Sequence, residues 1–99
     1  MIIVIGSVTV GENSRAEALR HSQAHVGRSR SEPGCLSHEV TIDAENHNRF
    51  LFVERWDTME DLERHFQVQG SSEFVAAMAL LATVGPDMQL YESEEIKRH

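Results

Sequence analysis

The sequence predicts an α+β domain with the element order βαββαβ, and three observations carry that prediction. A β-branched run opens the chain, two alternating apolar stretches flank a polar turn in its middle, and helix-periodic segments stand between the strands. With 99 residues the chain forms one domain with one modest core, so a second subunit is a direct way to bury more apolar surface.

Residues Ile2 to Val10 are apolar and β-branched with little polar interruption, which predicts a strand buried on both faces. Ser14, with Glu17 three positions on, has the form of a capping box and starts the first helix. On a helical wheel Ala16, Leu19, Gln23 and Val26 form the buried stripe, and Glu17, His21 and His25 turn to solvent. Arg28 to Glu32 carries the helix to Pro33-Gly34, a pair that cannot continue it, so a strand starts at Cys35.

That strand alternates Leu36, His38, Val40 and Ile42 against Cys35, Ser37, Glu39 and Thr41. Asp43 to Asn48 has the composition of a hairpin loop, and Arg49 to Trp56 is the third strand, with Phe50, Phe52, Glu54 and Trp56 opposite Leu51, Val53 and Arg55. Helices of the same chain cover one sheet face only, so the apolar residues of the other predict a homodimer. Asp57 or Thr58 caps the next helix, whose stripe is Met59, Leu62 and Phe66. Gly70-Ser71-Ser72 interrupts it. A second helical piece with Phe74, Ala77, Met78 and Leu81 ends at Gly85-Pro86, and Met88 to Glu92 is the last strand. The sum is a ferredoxin-like α+β domain over residues 1–93, a four-stranded antiparallel sheet with helices on one face, followed by a charged tail at 94–99 that is expected to fray.

Nine Lys and Arg against sixteen Asp and Glu give a net charge of −7, which repels phosphate backbones and anionic lipid, so neither nucleic acid nor membrane is an expected partner. The lone Cys35 has no intrachain disulfide partner, and the first ten residues lack a basic signal-peptide start; a soluble, cytoplasmic protein is expected. Glycine-rich phosphate loops, a GxSxG elbow and nucleotide fingerprints are all missing from the sequence.

Glu54 and Trp56 share one strand face about 7 Å apart, and His65 stands about 60° from Leu62 on its helix, at the margin of the buried side. Two readings of this group stand side by side. In one, His65 is a general base, Glu54 orients it, and Trp56 and Phe52, with Phe74 and Met78, form the apolar wall of a substrate pocket. In the other, Glu54 and His65 are a buried hydrogen-bonded pair tying helix to sheet, with Trp56 as core. His38, alone among apolar residues, is either an interior hydrogen-bonding group or a further pocket residue. His21 and His25 have i, i+4 spacing but no accompanying Glu or third ligand, and no metal is expected there. Arg28 and Arg30 complement the helix dipole, and Cys35 packs.

Glu32-Pro33-Gly34-Cys35-Leu36, the Glu54-Arg55-Trp56 end of the third strand, His65 nine residues further and Ser72-Glu73-Phe74 together resemble the signature of the antibiotic-biosynthesis-monooxygenase family. That resemblance implies a dimeric α/β barrel. It also implies an activity from a mixed set: oxidation of quinols or polyketides without a cofactor, haem degradation, or isomerisation of a phosphorylated quorum-sensing sugar derivative. Haem-degrading relatives use a late helical His, a Trp on the same helical region and an Asn on the first strand; here Met78 and His65 occupy the corresponding positions, and the first strand has no Asn. The expectation is therefore a cofactor-independent monooxygenase acting on a quinol or related small aromatic metabolite. A non-enzymatic small-molecule-binding or stress-associated dimer and an isomerase are the alternatives.

Overall fold

The computed structural model describes residues 1–98. Its elements are β1 (Ile2–Val10), α1 (Arg15–Ser29), β2 (Cys35–Asp43), β3 (Asn46–Trp56), α2 (Met59–Gln67), α3 (Gln69–Leu81) and β4 (Ala82–Glu92), with a short 3-10 turn at Glu12–Ser14. The strands form one antiparallel sheet in the order β2-β3-β1-β4. This is the predicted ferredoxin-like α+β fold.

Several boundaries differ from the sequence reading, each for a local reason. The third strand starts at Asn46 because Asp43 pairs with it across a tight turn, where Asp43 Oδ1 accepts from the Glu45 N–H at 2.8 Å. Helix α3 stops at Leu81, and Ala82 to Val84 already pair with Val10 and Thr9. Gly85-Pro86, expected to end the helix, lies instead at the ladder irregularity between Ser7 and Thr9, on an edge strand that tolerates a residue without an N–H. The break between α2 and α3 is the single extended residue Val68, and Gly70 lies inside α3. Thr58 caps α2 as expected, accepting from the Asp61 N–H at 3.2 Å, whereas Ser14 makes no side-chain cap bond.

Burial follows the strand period. In the single chain Ile2, Val4, Val8 and Val10 of β1 are buried against the helices while Ile5 is 41% exposed, so β1 is buried on one face rather than two. Two apolar clusters result. Val8, Val10, Ala18, Val26, Phe50, Phe52 and Met78 form one, and Ile2, Val4, Trp56 and Leu62 the other. On the open face Ile3, Ile5, Leu51, Val53 and Tyr91 come from three adjoining strands through the pairs Ile5↔Val53, Ser7↔Leu51 and Ile3↔Tyr91. Leu36, expected beside His38 on one face, is exposed because the register shifts between Cys35 and Ser37. Residues 94–98 carry no regular secondary structure, and Ser93 closes onto Met1 through an N–H···O bond of 2.9 Å; His99 of the predicted tail lies outside the described residues.

Gly34 turns the chain from α1 into β2 with φ +80°, and a Cβ there would overlap the Asp61 side chain. Gly34→Ala should destabilise the fold by about 1–2 kcal/mol from the left-handed backbone alone, with the overlap adding to it. Urea unfolding of the two chains checks this; an unchanged midpoint would show that the turn relaxes freely.

Candidate functional site

Along the helix-facing side of β3 the sequence Phe50, Phe52, Glu54, Trp56 places a carboxylate between the two apolar clusters, and Glu54 is only 7% exposed. Its Oε1 accepts from Trp56 Nε1 at 2.9 Å, lies 3.3 Å from His38 Nε2 in an oblique contact, and stands 3.9 Å from His65 Nε2. Burial opposes ionisation of Glu54; the close His38 ring, the Trp56 N–H and the nearby His65 outweigh it and hold the carboxyl below its ordinary range.

His65 follows buried Leu62 by three positions on α2, so the same helical face carries it inward. Its Nδ1 is 2.7 Å from Glu32 Oε1, at the turn after α1. A carboxylate only accepts, so His65 Nδ1 carries the proton. In the neutral ring Nε2 then holds a lone pair. Trp56 packs against the ring with centroids 4.6 Å apart.

His25 is the residue the helical wheel misplaced. It was expected on the solvated side of α1 and is instead buried, because the inward stripe is Ala18, Ser22, His25, Val26 and Ser29. Those small side chains let the helix approach its neighbours closely, and their i, i+4 recurrence was the available signal. The His25 ring stacks on Phe74 with centroids 4.0 Å apart and planes 6° apart. Arg28 Nη2 donates to His25 Nδ1 at 2.8 Å and to Ser71 Oγ at 3.1 Å. Burial, then the charges of His38, Arg28 and His65, push the His25 pKa down to about 3, against the pull of Glu54. His21, by contrast, pairs with Glu17 at 3.6 Å near the surface. Arg30 spans to β2, donating to the His38 carbonyl at 2.9 Å. Burial and the Glu32 and Glu54 charges raise the Cys35 thiol, which disfavours a thiolate.

A cavity of about 300 Å³ opens beside this group, within the range of small-ligand sites. Phe52, Glu54, His65, Phe74 and Met78 line it together with His25, Phe66, Ser71 and Val75, and Gly6, Pro86, Asp87 and Met88 close the sheet side. Gly6 faces the helices between Val4 and Val8, and the side chain it lacks leaves room there. Two expected pocket residues are corrected: Trp56 and His38 do not line the cavity, because both are sealed behind Glu54, fully or almost fully buried. Both ring nitrogens of His38 are buried without a hydrogen-bond partner. Depressions of about 360 and 420 Å³ elsewhere are lined by other residues and hold none of these groups.

One ring nitrogen from each of His25, His38 and His65 lies within 4.8 Å of the others, a spacing that invites comparison with a three-histidine metal centre. The hydrogen bonds oppose it. The Nδ1 lone pair of His25 is occupied by the Arg28 guanidinium, which leaves its other nitrogen protonated and a fixed positive charge beside the ring. In this arrangement the set suits hydrogen bonding and proton transfer better than it suits a cation.

The antibiotic biosynthesis monooxygenase family model matches residues 1–79, and the chain belongs to that family. The uncharacterised protein sll1783 of Synechocystis is 34% identical over 94 residues, 95% of this chain, which spans 64% of that protein's length. A Deinococcus radiodurans structure assigned to the antibiotic biosynthesis monooxygenases superposes with a TM-score of 0.94 at 24% identity, covering 100% of this chain and 98% of that one. Rv0793 from Mycobacterium tuberculosis superposes at 0.90 with 18% identity, covering 98% of each chain. These likenesses establish the fold. Proteins of the family are commonly dimeric, and among the described residues no helix is long and apolar enough to cross a membrane.

The low His25 pKa predicts acid sensitivity with a definite sign. An unfolded chain protonates this ring as pH falls through 6.5, while the folded one resists until about 3, so stability is full above 6.5 and declines across that window. The loss is on the order of 5 kcal/mol when complete. Glu54, held below its ordinary value of 4.5, adds to the decline at the acid end. Urea midpoints measured across this range should fall for the native chain and fall less for His25→Leu between pH 6.5 and 4.5; identical profiles would place the sensitivity elsewhere.

Proposed function

We propose that this protein is a cofactor-independent monooxygenase that oxidises a quinol or related small hydroxyarene, with His65 as general base. The observation that carries this reading is the pairing of His65 Nδ1 with Glu32 beside an apolar cavity, which leaves Nε2 to take a proton. Phe52, Phe74 and Met78 give that cavity flat and adaptable apolar walls for an aromatic ring. Glu32 compensates the imidazolium that forms, and Glu54, 3.9 Å from Nε2, adds to that compensation once Nε2 is protonated.

Deprotonation turns the quinol into an electron-rich anion that reduces dioxygen directly. A ring carbon next to the anionic oxygen forms a bond to dioxygen. Cleavage of the resulting O–O bond leaves one oxygen on the ring and releases the other as water, so that quinol and O2 give hydroxyquinone and H2O. The protein's part is to bind, deprotonate and keep bulk water away from the anion. We also propose that a second copy covers the apolar open face around Ile5, Val53 and Tyr91, the exposure that a homodimer of this family would remove.

Oxygen uptake with a panel of quinols and naphthols tests the reading. His65→Ala should lower turnover by about 100-fold or more. Gly6→Val, whose Cβ would meet only ordinary contacts at 3.6 and 3.7 Å, should abolish uptake by filling the cavity while the chain stays folded. Uptake indifferent to both substitutions would remove this cavity from the chemistry.

A further inference from the structure

Building on His65 as base, we propose that His25 is a second catalytic residue. Held by Arg28 as the Nε2–H tautomer, it donates a hydrogen bond to the substrate oxygen next to the one that His65 deprotonates. The site then favours molecules with two neighbouring oxygens, such as a hydroxyquinone, a catechol or an α-hydroxyketone.

The two histidines are set in opposite tautomers by two partners of opposite chemistry. Arg28 can only donate, so His25 Nδ1 accepts at 2.8 Å and the proton of the neutral ring sits on Nε2. Glu32 can only accept, so the proton of His65 sits on Nδ1, leaving an Nε2 lone pair. Both rings line the cavity, and their centroids are 5.3 Å apart. One presents a donor and the other an acceptor, a separation that adjacent oxygens of one small molecule can bridge. A neutral imidazole donor stabilises a developing oxyanion without being its proton source, and burial keeps His25 neutral.

Proton and charge balance without a further reactant. The substrate O–H proton passes to His65 Nε2, its electron pair stays on that oxygen as the anion, and the His25 N–H, bonded to the neighbouring oxygen, holds the molecule in place beside that charge. His25 keeps its proton throughout.

Arg28 is a positioning residue, and the fold makes a place for it. Its guanidinium lies against the start of α3, where it also donates to Ser71, and a Cβ at Gly70 would overlap it. Arg28 Nε is 3.5 Å from Glu32 Oε2, so the two groups that fix the tautomers also neutralise each other. The stacking of His25 on Phe74 fixes the plane in which the donor can point.

Long-range proton–nitrogen correlation spectra of histidine-labelled protein, at neutral pH and without substrate, read both tautomers directly. The expected result is a protonated Nε2 on His25 and a protonated Nδ1 on His65, with the His25 preference lost in Arg28→Met and in Gly70→Ala and restored in part by Arg28→Lys. A His25 that is cationic or protonated on Nδ1 overturns the proposal, and does so whether or not any quinol is oxidised. Binding supplies the second readout, with hydroxynaphthoquinone and naphthol as probes. His25→Phe keeps the stacked ring and should weaken the hydroxynaphthoquinone by at least about tenfold more than it weakens naphthol; equal effects on both, or none, overturn the donor role. Zinc added alone should leave the three histidine resonances in place, and tight zinc binding to all three would replace the donor with a metal site.

Discussion

A carboxylate in the middle of the sheet governs the helix-facing side of this protein. Charge removed from water is tolerated only where donors surround it. Glu54 takes its one hydrogen bond from an indole N–H two residues along its own strand, and an imidazole on β2 and another on α2 stand close to it. His65 in turn needs Glu32, and Glu32 lies beside Arg28, which reaches partly exposed surface while holding His25. A polar chain thus runs from the core to solvent between two apolar clusters. The cavity opens beside this chain, where Phe52 and Met78 of one cluster meet Glu54 and His65.

Sheet and topology were legible in the sequence because strands report their faces with a period of two. Phe50, Phe52, Glu54 and Trp56 read correctly as one side of β3. Helix α1 was not, because its inward face is made of Ala18, Ser22 and Ser29, residues that carry little hydrophobic signal and whose value is their small size. A wheel weighted toward Leu19 and Ala16 turned His25 outward. The α3–β4 junction also escaped: Gly85-Pro86 is a sound helix stop, yet Ala82 to Val84 pair with β1 before the chain reaches it.

The candidate site was legible to the same extent and for the same reasons. Glu54, His65, Phe52, Phe74 and Met78 follow from strand alternation and helical spacing, and all of them border the cavity. Glu32 stood in the turn motif before β2, but its contact with His65 joins residues far apart in sequence, which no local periodicity encodes. Trp56 looked like a wall because it shares a face with Glu54, although one further step along the strand carries it past the cavity into the second cluster. His38 was placed on the right face, with Glu54 between its ring and the opening.

The last strand brings in a different consequence. His25, His65, Glu32 and Glu54 come from the segment that the family model matches, residues 1–79, whereas Pro86, Asp87 and Met88 on the sheet side of the cavity come after it. These polar groups and one part of the cavity wall therefore belong to separate stretches of chain. Because β4 is an edge strand joined to the sheet on one side only, its rim positions can be exchanged without disturbing the central strands that hold Glu54. The fold thus joins a fixed polar frame on the inner strand and helices to a wall segment on an edge strand that is free to vary.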